Sequence, residues 1–218
     1  MTLPPPPGAP FPDLWGRRVD PRGDVNDTWA HSVDERLFEE RTVRVCGFVD
    51  DQAANRAAMA LMTLDASGDE AVQLYVDSTG GDLSASFALI DVVDALGVEV
   101  HTLCMGQAKG PPVGILCVGD HRQAMEHARI QLCEPRLEVH GGPREIEAVS
   151  AAQLQLLQRL HERIAEATGQ SPQTIERDMR RGRYLDASDA MSYGIVDEIV
   201  RPQAKILEFP RRLGFRRR

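Results

Sequence analysis

The sequence predicts an α/β fold built from repeated βαβ units, because short apolar runs alternate with longer segments of helical periodicity. The apolar runs at residues 42–48, 72–76 and 98–105 have the length and the valine content of buried strands. Between them, residues 50–64 and 85–96 place alanine, leucine and valine at helical spacing. Strands separated by helices in this way pair in parallel. A chain of 218 residues has room for one such domain and is short for two.

Capping residues predict where the individual helices begin and end. Asp50 and Asp51 are able to cap the helix after the first strand, and Gly97 is a natural stop for the next helix. Proline opens two further helices, at Pro111 and at Pro143. The remaining predicted elements are a short helix around 33–38, a strand at 130–133, the end of the long helix before Gly169, short helices opening at Ser171 and Asp186, and a last strand at 195–200.

The two ends of the chain differ in composition from the predicted domain at residues 29–200. Residues 1–28 are rich in proline and glycine and lack periodic apolar residues, which predicts an extended arm. Residues 201–218 carry seven basic residues against one glutamate, which predicts a solvated basic tail. The net charge of −8 gives no general reason to expect nucleic acid binding. No apolar run approaches a membrane span and no signal pattern opens the chain, so we expect no membrane partner and a cytoplasmic location.

The cysteines show none of the paired spacings that metal sites or redox motifs require. We therefore expect buried, reduced thiols, with neither a metal ion nor another cofactor. The four cysteines are Cys46, Cys104, Cys117 and Cys133.

Six segments carry a resemblance to a known protein family. They are LFEERTVRVCGFVDD at 37–51, LYVDSTGG at 74–81, MGQA at 105–108, ARIQLCEP at 128–135, TGQSPQTIERD at 168–178 and LDASDAMSYGIVD at 185–197. In this order they resemble the ATP-dependent Clp protease proteolytic subunit, the ClpP family of serine peptidases (peptidase S14). The resemblance implies the ClpP/crotonase-like fold, with a protruding handle helix and its strand at about residues 136–167. It also implies a Ser–His–Asp site.

In the ClpP motifs three positions carry the catalytic serine, histidine and aspartate, and this chain has other residues at all three. The family elbow GQAASMG has its serine in the fifth place, which is Gly110 here. The histidine follows ARIMI and precedes QP, which places it at Cys133. The aspartate position lies four residues after Asp178 and is Gly182. The resemblance therefore implies a degenerate triad, as in the ClpR type of subunit.

Backbone N–H donors form the second part of such a site. In the family one oxyanion donor is the amide of the residue after the serine, and that position is Pro111, which has no N–H. Gly80 and Gly81 match the family's double glycine and allow the backbone to approach a bound substrate closely. We expect these two glycines in the substrate-binding site, and an ordinary tight strand-to-helix turn is the other interpretation.

The sequence thus predicts a catalytically inactive ClpP-like subunit with a structural or regulatory role in a Clp-type proteolytic ring. The expected partners are copies of the same chain in a heptameric ring or double ring, an active ClpP paralogue, or both. A Clp ATPase unfoldase is a further candidate, because Tyr75 occupies a strand position that resembles part of the family's docking pocket. A buried structural tyrosine is the other interpretation of Tyr75.

Other functions remain open at this point. One is a functioning Clp serine peptidase with displaced residues, although residues 106–118 contain neither serine nor threonine. Another has Cys133 as the nucleophile, with His127 or His140 nearby in sequence. A third is a crotonase-type enzyme that polarises an acyl-CoA thioester with backbone amides, a site that Pro111 also damages.

Overall fold

The computed structural model describes residues 33–136 and 141–201 of the chain. The predicted arm at 1–28 lies outside these ranges, as do the basic tail beyond Arg201 and residues 137–140 of the predicted handle strand. The described elements, in chain order, are α1 (33–39), β1 (Thr42–Val49), α2 (Asp51–Ser67), β2 (Val72–Gly81), α3 (Leu83–Ala95), β3 (Val100–Lys109), α4 (Pro112–Cys117), β4 (His121–Met125), β5 (Arg129–Leu132), α5 (Pro143–Thr168), α6 (Pro172–Arg181), β6 (Arg183–Asp186), α7 (Ala187–Tyr193) and β7 (Glu198–Val200).

The strands form one sheet in which parallel pairing dominates. Its main path runs β1-β2-β3-β4-β7, and all four of these pairings are parallel. The long strand β3 pairs first with β4 and then, through residues 107–109, with β5. The short strand β6 pairs antiparallel with β5. The predicted α/β class with repeated βαβ units is confirmed.

Side-chain caps begin the helices where the sequence predicts them. Asp50 accepts a hydrogen bond from the Ala53 amide at 2.8 Å, and Asp186 accepts one from the Asp189 amide at 2.8 Å. Ser171 caps α6 in the same way. These caps satisfy amides that would otherwise have no partner in the first helical turn.

Several features of the sheet differ from the sequence prediction. The sequence does not predict strands β4 and β6. Their segments, HRQAM and RYLD, are short and polar and so lack a clear strand signal. Strand β2 is longer than predicted and continues through Gly80 to Gly81, where these glycines pair with Phe48 and Val49 of β1. The double glycine therefore ends a strand.

The two faces of the sheet are covered unequally. Leu74 and Val76 of β2 are fully buried under the helices, whereas Tyr75 between them is half-buried. The same alternation makes the prediction of a buried thiol wrong for Cys46, which is exposed beside the buried Val45. Cys104 and Cys117 are buried as predicted, Cys133 is half-buried, and all four thiols are free.

Arg122 of β4 holds the C-terminal ends of two helices against the sheet. Its guanidinium pairs with both carboxylate oxygens of Asp197 and donates to the carbonyls of Ala167 and Gly194, each at 2.9 Å. These carbonyls lie at the ends of α5 and α7, where helical carbonyls lack internal partners. One side chain thus joins the long helix to the closing segment.

The long helix α5 is buried only near its C-terminal end. Residues 143–159 include no buried side chain, and Leu154 is 67% exposed. For a monomer, the sequence predicts that Leu154, Leu157, Leu160 and Ile164 of this helix are partly exposed, but Leu160 and Ile164 are fully buried against the rest of the domain. Within the described ranges no helix, α5 included, is long and apolar enough to cross a membrane.

Candidate active site

A sharp turn between β3 and α4 brings Gly110 to the end of the sheet. Strand β3 ends at Lys109, Gly110 adopts a left-handed φ of +64°, and α4 begins at Pro112. The Gly110 amide donates to the Gln131 carbonyl of β5 at 2.9 Å, which fixes the turn beside that strand. This strand–turn–helix path is the general plan of a nucleophile elbow.

Cys133 lies directly beside this turn. A Cβ atom built on Gly110 would be 3.3 Å from the Cys133 carbonyl oxygen and 3.6 Å from its Sγ. Both distances correspond to contact or near contact, so a side chain at position 110 would touch the side chain at 133. The structure therefore brings together two residues that are far apart in the sequence.

Gly182 lies across β5 from Gly110, next to the start of β6. It ends α6 with a left-handed φ of +66°, and its carbonyl accepts a long hydrogen bond of 3.4 Å from the Gln131 side chain. A Cβ atom at position 182 would be 3.5 Å from the same amide nitrogen. Gln131 precedes Cys133 by two residues on the strand, so positions 110, 133 and 182 are grouped around one short segment.

The side chains in this group have little capacity for nucleophilic or acid–base chemistry. The two glycines have no side chain, and burial raises the pKa of the Cys133 thiol against the opposing charge of Lys109. A thiol with a raised pKa holds less thiolate, which is the reactive form. Burial also raises the pKa of Cys117 to about 12, and this residue lies in the core. None of these groups is an activated nucleophile.

The histidines proposed from sequence as partners of Cys133 give no support to a thiol mechanism. His127 is exposed at the turn between β4 and β5 and, in the described structure, forms no hydrogen bond with Cys133. His140 lies outside the described residues. A thiol nucleophile needs a base within hydrogen-bonding reach.

The first turn of α4 offers no free backbone donor next to Gly110. Pro111 and Pro112 have no N–H. The next two amides are used inside the turn, since Val113 donates to Gly110 at 3.0 Å and Gly114 donates to Pro111 at 2.9 Å. An oxyanion would need amides that point outward at this place.

The double glycine lies next to the same turn and is required there by packing. A Cβ atom on Gly81 would be 2.8 Å from Val49 Cβ and 3.2 Å from Pro112 Cγ. Gly80 has a φ of +148°, and its amide is 3.3 Å from Ser78 Oγ. The glycines allow β1, β2 and α4 to approach closely, which accounts for them without a bound substrate.

Asp178 is the centre of a polar network that the sequence did not reveal. It is 4% exposed, and it accepts hydrogen bonds from Arg183 at 2.8 Å, Tyr193 at 3.0 Å and Arg177 at 3.3 Å. The Arg183 guanidinium also lies 5.1 Å from the centre of the Tyr193 ring. Burial pushes the pKa of Asp178 upward, but the three hydrogen bonds outweigh burial and hold the pKa below its ordinary value. The carboxylate is therefore charged and structural.

The described residues contain no evident metal-binding site. In this part of the chain, no three side chains among histidine, cysteine, aspartate and glutamate are arranged to hold a metal ion.

Comparison with known proteins places the chain in a family. The Clp protease family model matches residues 25–203. This chain belongs to the Clp protease family. The ATP-dependent Clp protease proteolytic subunit 3 of Streptomyces coelicolor (strain ATCC BAA-471 / A3(2) / M145) is similar to it, at 38% identity over 194 residues, which is 85% of this chain and 89% of that protein.

Proposed function

We propose that this Clp protease family chain is a catalytically inactive subunit with a structural or regulatory role in a Clp-type proteolytic ring. The observation that carries the proposal is the chemistry of the three grouped positions, Gly110, Cys133 and Gly182. By motif these are the positions of the family's serine, histidine and aspartate. Loss of one triad member already removes most of the rate in a serine peptidase, and the remainder depends on the oxyanion hole.

The backbone around Gly110 supports the same conclusion. Pro111 stands where the family has an oxyanion donor, and the amides of Val113 and Gly114 already have partners. An enzyme that had moved its nucleophile elsewhere would still need donors at the reacting carbonyl. The missing donors therefore also weigh against a thioester-polarising site at this turn, and against a displaced nucleophile that would act at this turn.

We expect the purified chain to show no turnover of a fluorogenic short peptide and no covalent labelling by a fluorophosphonate. An active ClpP from the same cell, treated in parallel, is the positive control. Mass spectrometry of the probe-treated chain would locate any adduct. An adduct on any residue of this chain, or conversion of an acyl-CoA thioester, would contradict the proposal.

The ring assignment rests on the exposed part of α5. Its residues Ile146, Val149 and Leu154 are exposed apolar side chains on a half-helix that packs little against its own chain. Such surfaces are usually covered by another chain. We propose that a copy of this chain or an active ClpP paralogue covers the exposed part of α5 in a heptameric ring or double ring. A Clp ATPase unfoldase is a further expected partner.

Light scattering of the chain, alone and mixed with the active paralogue, tests this assignment. We expect a ring-sized particle in at least one of the two samples. Leu154→Glu puts a charge on the exposed apolar surface and is expected to shift the particle toward smaller species. Gln155→Glu, at the exposed neighbouring position, adds the same charge as a control and is expected to leave the size unchanged. A monodisperse monomer in both samples would exclude the ring.

A further inference from the structure

A buried histidine without a hydrogen-bond partner lies at the base of α5. His161 is 7% exposed and follows Leu160, the first fully buried residue of this helix. Its Nε2 atom has no hydrogen-bond partner in the described structure. An unpartnered polar atom in the protein interior destabilises the folded state. A residue that is tolerated at such a cost is a candidate for a role other than packing.

Charged groups on α6, on α5 itself and in the segment just after β5 act electrostatically on this imidazole. Arg180 of α6 pairs with Glu176 at 2.8 Å and with Glu134, just after β5, at 3.5 Å. These three groups act electrostatically on His161, together with Glu162 of its own helix. Of the other helices packed on α5, α4 carries no charged residue, and Asp94 of α3 is paired with Arg163.

The balance of these influences keeps the imidazole neutral. Burial lowers the pKa of His161, and this exceeds the opposing pull of the Glu176 and Glu134 carboxylates. The positive charge of Arg180 also lowers the pKa of His161. The carboxylates that act on the histidine already share one guanidinium, so a proton added to the imidazole would compete with that guanidinium.

We propose that His161 is a proton-sensitive switch at the base of α5. When the imidazole is neutral, Arg180 bridges Glu134 and Glu176 and so ties α6 to the segment after β5. When the imidazole takes up a proton, the buried cation is attracted to the same carboxylates, repels Arg180 and loosens the packing between α5 and α6. Glu134 directly follows Cys133, so the change also reaches the group of residues around Gly110.

The direction of the pH effect follows from linkage. The folded chain holds His161 with a pKa below that of an unfolded histidine, which is about 6.5. The stability that depends on neutral His161 is complete above about pH 6.5 and is lost as the pH falls toward the folded-state value. One such group changes the equilibrium for local opening by at most about tenfold per pH unit.

Hydrogen exchange of the full chain, read by mass spectrometry between about pH 7.5 and about pH 5.5, tests the proposal. After correction for intrinsic exchange rates, peptides covering residues 155–181 are expected to lose up to about tenfold in protection. His161→Leu removes the titrating group and is expected to abolish this pH dependence. Because each variant is compared with itself at the two pH values, a change in baseline stability does not affect the result.

A matched control is available in His127, which is exposed. His127→Gln is expected to behave as the natural chain does. If His161→Leu does not fold, NMR titration of the imidazole in the natural chain serves instead, with an expected midpoint below about 6.5. A midpoint at or above that value, or the same pH dependence in His161→Leu and the natural chain, would overturn the proposal.

Discussion

A variant that carries Gly110→Ser, Cys133→His, Gly182→Asp and Pro111→Ala is expected to label with a fluorophosphonate and to hydrolyse a fluorogenic peptide, in contrast to the natural chain. The grouping of positions 110, 133 and 182 around Gln131 makes this rebuilding possible. A serine at 110 would have its Cβ within 3.6 Å of the side chain at 133. Proton transfer between the two side chains needs this contact.

The rebuilt residues also have to be tolerated by the backbone. Positions 110 and 182 both have left-handed φ values, +64° and +66°. A serine in this conformation costs about 1–2 kcal/mol, while aspartate is among the residues that adopt it more readily. The aspartate at 182 would end α6 next to the Gln131 side chain, where a Cβ meets no atom closer than 3.5 Å. The four-residue variant is therefore expected to fold with reduced stability.

The substitution Pro111→Ala is expected to account for a large part of the peptide turnover of the quadruple variant. The triple variant that keeps Pro111 has a nucleophile, a base and an orienting acid but lacks one oxyanion donor. Loss of a single donor of this kind costs about 10²–10³-fold in rate, so the fourth substitution is expected to return that factor. Peptide turnover of the triple and quadruple variants, measured side by side, gives the ratio.

The matched control replaces the serine by alanine in the quadruple background. This variant has the same backbone strain and the same histidine and aspartate, and it is expected to show neither labelling nor turnover. If the alanine control turned over peptide as fast as the serine variant, the chemistry would lie elsewhere in the chain. That result would contradict the proposal that a degenerate catalytic site lies at Gly110.

The substitution Asp178→Asn is expected to produce the second large effect, a loss of folding stability. This substitution keeps the shape of the side chain but removes the charge that Arg183, Arg177 and Tyr193 share. Breaking a fully buried ion pair from one side costs about 3–5 kcal/mol. Because both arginines are about half exposed, we expect a smaller loss, about 2–3 kcal/mol in the free energy of unfolding.

Urea or guanidinium denaturation at neutral pH measures this loss. Glu166→Gln is the control, since Glu166 forms an ion pair with Arg163 in which its own side chain is 69% exposed. Exposed pairs contribute at most about 1 kcal/mol, so the control is expected to change stability little. Equal losses in the two variants would show that the Asp178 network is not a special element of the fold.

The hydrogen-bond network of Asp178 also predicts that folding stability depends on pH in the acidic range. The folded-state pKa of Asp178 lies below the unfolded value of about 3.9. Its contribution is therefore present above that value and is lost as the pH falls through the folded-state pKa. Asp178→Asn is expected to remove this component, so the stability gap between the two proteins narrows in strong acid. This range lies well below the one in which His161 acts.

The helix caps that were predicted from short stretches of sequence agree with the structure. The caps at Asp50, Ser171 and Asp186 each bind an amide three residues further along. The alternation of apolar runs and helical segments was enough for the α/β class. Such signals are readable because the interacting groups lie within one or two helical turns of each other.

Local sequence patterns alone did not identify the residues of the candidate site, and the resemblance to a family was needed. The motifs identified Gly110, Cys133 and Gly182 one by one, from counts within segments that resemble ClpP. Only the tertiary structure shows that the first two lie in contact and that Gln131 connects the third to them. The pairing of Gly80 and Gly81 with β1 was not predicted, because it joins residues that lie more than thirty positions apart in the sequence.

The class of fold, the caps that begin the helices and the identities of the residues at positions 110, 133 and 182 could be read from the sequence alone. The tertiary structure decided which residues meet: the partners of Asp178, the burial of His161 and the pairing of the short strands β4 and β6. The physical reason is that helix caps and amphipathic periods are local interactions, whereas strand pairing and buried polar networks join distant segments. Their energy depends on the environment that the rest of the chain provides.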